Sequence, residues 1–157
     1  MTDPMMDLMK LNTDATVTAL RRMNDVTERY GLRLTDGQMV ALAAARTRSL
    51  AQTGRVELGE GILPKLAYAF ADSPCIQRQE YADTLGALQD LFYAFKNECE
   101  DSLTDDELVE AMQTIFNRKA QGSLEYMENL TVADLYRALR PPAIGGEEED
   151  DADEWID

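Results

Sequence analysis

A chain of 157 residues with 45% hydrophobic side chains has the length and composition of one globular domain with its own core. Thirty acidic against 15 basic side chains give a formal net charge of −15, which argues against nucleic-acid backbones and anionic membranes as partners. There is no histidine. That removes the commonest general base, the Ser-His and Cys-His nucleophile pairs, and the commonest transition-metal ligand.

The start, Met1 to Asp7, has neither the basic region nor the apolar run of a signal peptide. No stretch reaches the apolar length that spans a bilayer. Cys75 and Cys99 lack metal-site spacing and read as reduced thiols, so the expected compartment is the cytoplasm. Residues 1–11 are Met-rich and loosely patterned, and an irregular N-terminus is expected there. Asn12, Thr13 or Asp14 can cap a first helix with Val17, Leu20, Met23, Val26 and Tyr30 on one face, ending at Gly31.

Leu34 opens a well-marked helix. Thr35 and Gln38 form a capping box, and Leu34 with Met39 a hydrophobic staple. Met39, Leu42, Ala43, Arg46 and Leu50 follow at helical spacing until Gly54. Arg55-Val56-Glu57-Leu58 alternates in polarity and suits a very short strand or extended turn. Pro64 starts a helix carrying Leu66, Tyr68, Ala69 and Phe70, which Asp72-Ser73-Pro74 breaks.

The longest helix is predicted from about Gln77 to Glu100, with Tyr81, Leu85, Leu88, Phe92, Phe95 and Cys99 as a continuous apolar stripe. It should be the central pillar, with Gly86 allowing close packing. Leu103, Thr104, Glu107 and Leu108 repeat the staple and capping box. Leu108, Met112, Ile115 and Phe116 form the buried face of that helix, and Gly122 closes it. Ser123 or Thr131 caps the last helical stretch, which stops at Pro141-Pro142. The fold class is all-α: a helical domain of about six helices over 12–140, then a flexible acidic tail over 141–157.

The two Leu-Thr-Asp openings and glycine closures form a repeat with two readings. One is two well-capped helices. The other is a pair of helix–loop–helix units that resemble a degenerate EF-hand pair. Windows Ser49–Glu60 and Asn117–Glu128 place Gly54 and Gly122 at position six. They place Val56 and Leu124 at eight, and Glu60 and Glu128 at twelve, where an EF-hand wants its bidentate acid. That resemblance implies short paired strands at Val56 and Leu124, with Glu60 and Glu128 as remnant metal ligands. Positions one, three and five depart from it: they are Ser49, Ala51 and Thr53 in one window, and Asn117, Lys119 and Gln121 in the other.

From about Tyr30 to Arg140 the chain also resembles an uncharacterised bacterial family of small soluble helical proteins, a domain of unknown function. The residues carrying this are Gly54-Arg55-Val56-Glu57, Gly61-Ile62-Leu63-Pro64-Lys65-Leu66, Tyr68-Ala69-Phe70 with Asp72-Ser73-Pro74, Phe92-Tyr93 with Phe95-Lys96-Asn97-Glu98, and Gly122-Ser123-Leu124-Glu125-Tyr126. The resemblance implies a bacterial cytosolic protein and supplies no activity or cofactor.

Three constellations remain. Glu98, Glu100, Asp101, Asp105, Asp106, Glu107 and Glu110 are a dense acidic run, read either as a divalent-cation site or as solvated helix ends. Tyr68, Phe70, Tyr81, Phe92, Tyr93, Phe95 and Tyr126 read as core or as a pocket lining, with Lys96, Asn97 and Glu98 at its rim. The tail, residues 147–157, carries eight acids and no base. Glu147, Glu148, Glu149, Asp150 and Asp151 supply steering charge there, and Trp155 and Ile156 apolar anchors.

The expected function is a non-enzymatic interaction or regulatory module that binds a basic protein surface, with no cofactor, nucleic acid or membrane. The alternatives are an EF-hand-like ion module, and an enzyme using Tyr93, Lys96, Glu98 or Tyr126 in a helical pocket.

Overall fold

A computed structural model describes residues 4–140. Within them the chain forms α1 (Pro4–Thr27), α2 (Asp36–Thr53), α3 (Leu63–Ala69), α4 (Tyr81–Glu98), α5 (Asp105–Arg118), α6 (Leu124–Glu128) and α7 (Val132–Leu139). Single 3-10 turns at Glu28–Tyr30 and Arg78–Glu80 flank α1 and α4. The described residues contain no strand.

Helix α4 is the pillar, packed against α2 on one side and α3, α5 and α6 around the rest. Tyr81, Leu85, Leu88, Phe92, Phe95 and Cys99 are all buried, as the stripe predicts. Helix α4 starts at Tyr81 rather than near Gln77. Leu42 of α2 sits where a Cβ on Gly86 would come within 3.4 Å of it, so the glycine sets the α2–α4 approach. The capping boxes at Thr35 and Thr104 form with both reciprocal hydrogen bonds. Ser123 and Thr131 both act as caps, so the last helical stretch is two helices and the described residues hold seven.

Two expectations about the N-terminus are corrected. Helix α1 begins at Pro4, not after an irregular 1–11, because proline at the first helical position has no N–H to lose and the residues following it are good helix formers. Of its predicted face, Leu20 is fully buried, Val17 and Met23 pack half-buried against the core, and Tyr30 is exposed; the other fully buried positions include Thr16, Asn24 and Thr27. These polar side chains are buried because each closes a neighbouring loop. The Asn24 amide donates to Leu34 O (3.0 Å) and accepts from Leu34 N (2.9 Å), and Thr27 Oγ1 donates to Leu32 O (2.8 Å).

The EF-hand geometry does not form. Val56 lies in a stretch, 55–58, that is neither helix nor turn, and Leu124 is the first residue of α6. No strand pairs them among the described residues. The first five positions of the first window, Ser49–Thr53, stay inside α2. In the second, the Gly122 N–H donates to Phe116 O (3.0 Å) and closes α5, and Ser123 at once caps a new helix. Good helix stops and starts thus use up the residues that an ion loop would need.

Gln89, on α4, is fully buried, and neither amide atom has a hydrogen-bond partner among the described residues. An unsatisfied buried amide costs about 1–3 kcal/mol. Gln89→Leu, of similar volume, is expected to raise stability by about that amount in urea unfolding. A decrease would show that the amide is satisfied in solution.

Candidate functional site

The acidic run is dispersed into structural roles. Asp101 takes Arg55 (2.6 Å), Asp105 takes the buried Lys96 ammonium (3.0 Å), Asp106 pairs with Lys65, and Glu107 closes the α5 cap. Lys96 also donates to Leu103 O (2.9 Å), so it clamps the α4–α5 turn. The Arg55 guanidinium holds the Asp101 carboxyl below its ordinary value, despite some desolvation. No group of three or more Cys, Asp or Glu among the described residues is arranged to hold a metal ion. Glu60 and Glu128 are both exposed and belong to no such group.

The aromatic group also separates. Phe70 and Phe116 stack edge to face at 5.4 Å, Phe92, Phe95 and Tyr81 fill the core, and Tyr68 and Tyr126 lie on the surface. Tyr126 is on α6, Glu98 is exposed, Lys96 is tied to the α4–α5 turn, and Tyr93 points into a different network. The four residues named for an enzymatic pocket therefore serve separate places. Trp155, Ile156 and the acids Glu147, Glu148, Glu149, Asp150 and Asp151 lie outside the described residues.

The structure instead builds one polar centre that ties the loop between α2 and α3 to α1 and α4. Arg46, on the apolar stripe of α2, is only 3% exposed. Its Nε donates to Glu57 Oε1 (2.7 Å) and its Nη2 to Glu57 O (3.1 Å). Its Nη1 donates to Gly59 O (2.9 Å) and Thr16 Oγ1 (3.0 Å), and at 3.3 Å to Asn12 O. Thr16 Oγ1 in turn donates to Glu60 O (2.9 Å), and Gly59 N donates to Asn12 Oδ1 (2.9 Å). From α4, Tyr93 donates its hydroxyl to Glu57 Oε1. A guanidinium fork suits this task, since its fixed donors meet a carboxylate and several carbonyls at once. The other end of the loop is clamped by Arg55, which donates to Asn97 Oδ1 (2.7 Å) as well as Asp101, while Asn97 Nδ2 donates to Thr53 O (2.9 Å).

Between these clamps Val56 is 86% and Leu58 63% exposed. The loop turns a carboxylate inward and two aliphatic side chains outward. Beside it, through Asn12, runs the projecting start of α1, where residues 4–11 are all exposed, Met6, Leu8 and Met9 among them. An open groove of about 530 Å³ lies further along α1, lined by Arg21, Arg22, Arg33, Asp25 and Asp36 among others, its charges of both signs.

Burial, then the Glu57 hydrogen bond and charge, push the Tyr93 phenol far above its ordinary 10.0. Burial also raises Tyr81, against a hydrogen bond with Thr27. Both groups favour the protonated form in the fold, so their contribution is intact below pH 10.0 and falls as pH rises above it. In an alkaline titration followed at the tyrosinate absorbance, two phenols are expected to ionise later than ordinary tyrosines, Tyr93 last. Tyr93→Phe should remove one of them; an unchanged late step would refute the assignment.

The blocks 54–57 and 92–98 that carried the family resemblance meet here, through Arg55–Asn97 and Glu57–Tyr93. Arg46 was legible only as a helix-face residue. The signal for its role is an arginine on an apolar stripe with an alternating Arg-Val-Glu-Leu segment following it.

A search among curated proteins and solved structures finds no match for the chain. A family model does match: residues 19–143 fit DUF6323, a family of unknown function, and the chain belongs to it.

Proposed function

We propose that this member of DUF6323 is a non-enzymatic protein-interaction module whose docking face is the clamped 55–60 loop with the adjoining start of α1. The observation that carries the proposal is the buried Arg46–Glu57–Tyr93 network, which ties down the loop on either side of the exposed Val56 and Leu58. Buried ion pairs are a poor means of stabilising a fold, and conformational specificity is what such a network can add. A loop ordered in advance lowers the entropy cost of association, and exposed aliphatic anchors supply the contact. The methionines at the start of α1 adapt readily to a partner.

Glu60 and Asp14 lie beside Arg22 at one end of this face, and Glu98 and Glu100 are exposed near the other, where Asp101 is paired with Arg55. They favour a partner with a basic rim around an apolar surface. The acids Glu147 to Asp151 add charge of the same sign, with Trp155 and Ile156 as a further anchor. Affinity capture should recover a partner with the full chain and lose it with Val56→Asp/Leu58→Asp. A chain ending at Pro142 should retain it with a slower association rate. Equal recovery by the Asp variant would refute the docking face.

A further inference from the structure

Between the two clamps the side chains alternate, and only part of the loop backbone is bonded to the rest of the fold. Arg55 N donates to Leu50 O (3.0 Å), Glu57 O accepts from Arg46, and Gly59 engages both its N–H and its C=O. The N–H and C=O groups of Val56 and Leu58 have no protein partner among the described residues. In an extended chain, alternate residues direct their backbone groups to opposite edges. The inward bonds thus come from the Arg55 N–H, the Glu57 C=O and both groups of Gly59; the Arg55 C=O and Glu57 N–H are unpaired among the described residues, as are the groups of 56 and 58, which also carry exposed aliphatic side chains. Unpaired backbone of this kind is a template for another extended chain.

We infer that residues 55–58 are a strand-addition edge that receives an extended peptide alternating aliphatic and basic side chains. This rests on the interaction reading above and specifies its mode. Charge selects the occupant. A second copy pairing edge to edge would bring Glu60 and Asp14 of one chain against the acids of the other. The chain's own residues 147–157, with eight acids and no base, would meet the same repulsion. A peptide with Lys or Arg between its aliphatic residues meets Glu60 and Asp14, two acids against the single base Arg22, at one end and the exposed Glu98 and Glu100 near the other, beyond the Arg55–Asp101 pair. Main-chain hydrogen bonds to Val56 and Leu58 then give affinity, and the alternate side chains give specificity.

The test uses the full chain and a fluorescent peptide of four Val-Lys repeats. Controls are a Val-Glu repeat and a block peptide, four valines then four lysines. Leu58→Pro deletes an outward N–H while keeping an apolar side chain, and because that N–H is unpaired the fold should survive. Val56→Pro serves as the second such variant, and Val56→Ser/Leu58→Ser removes the anchors instead.

The expected result is binding of the Val-Lys repeat at least tenfold tighter than either control. Either proline variant should weaken it at least tenfold with an unchanged melting temperature, and amide exchange at Val56 and Leu58 should slow on binding. If the serine pair abolishes binding while both proline variants retain it, strand addition is overturned and the docking face stands. Failure of the repeat to bind, with partner capture still dependent on Val56 and Leu58, overturns strand addition alone. If that dependence is also absent, both readings fall. A concentration-dependent dimer in sedimentation that Leu58→Pro removes overturns the peptide as occupant in favour of a second copy.

Discussion

Arg46→Ala is expected to destabilise the domain by about 3–5 kcal/mol, the range seen when one partner of a buried ion pair is removed. The alanine would leave the Glu57 carboxylate without its cation and the carbonyls of Glu57 and Gly59 without a donor. Arg46→Lys should recover little, since one ammonium cannot reach a carboxylate, two carbonyls and the Thr16 hydroxyl from a single point. Arg46→Met/Glu57→Leu should be more stable than Arg46→Ala, because it removes both charges rather than stranding one. The decisive measurement is the urea midpoint of the three variants. An Arg46→Ala midpoint equal to wild type would mean that the network is not formed in solution.

Gly61→Ala is the second large effect. Gly61 has φ +74°, and an added Cβ would lie 2.2 Å from Glu57 Oε1 and 2.7 Å from Arg46 Nε. The left-handed backbone alone costs an alanine about 1–2 kcal/mol. Displacing the buried pair adds up to about 3 kcal/mol more. Gly59 is the internal control: it has φ +71°, and nothing lies within 4 Å of its virtual Cβ. Gly59→Ala should show only the backbone cost, so the gap between the two variants measures the contact with the ion pair. Equal midpoints for Gly59→Ala and Gly61→Ala would refute that contact.

Features set by neighbouring residues were legible in the sequence. The capping boxes at Thr35 and Thr104, the breaks at Gly54 and Pro74, and the buried stripe of α4 all depend on contacts a few residues apart. The face of α1 was legible in part: Val17, Leu20 and Met23 do pack on the core, but its fully buried positions also include Thr16, Asn24 and Thr27, whose value lies in partners 5 to 44 residues away. An apolar periodicity cannot register them. The candidate site was legible in pieces: alternation over 55–58 and two family blocks. The link between them was hidden because a charged residue in a helix stripe ordinarily sends its head to water. Arg46 instead finds acceptors from residues 12, 16, 57 and 59, which only the tertiary fold brings together.

The same arrangement bears on how fast the molecule comes apart. The Arg46 centre joins residues 11 to 47 apart in sequence, so it can close only after α1, α2 and α4 have docked. An interaction absent from the folding transition state changes the unfolding rate and leaves refolding alone, and the Arg46 centre is expected to be of that kind. Its loss should appear as faster unfolding with nearly unchanged refolding. The centre thus acts as a latch on the lifetime of the native state, and a protease in excess would find the 54–61 loop soonest when that latch is open.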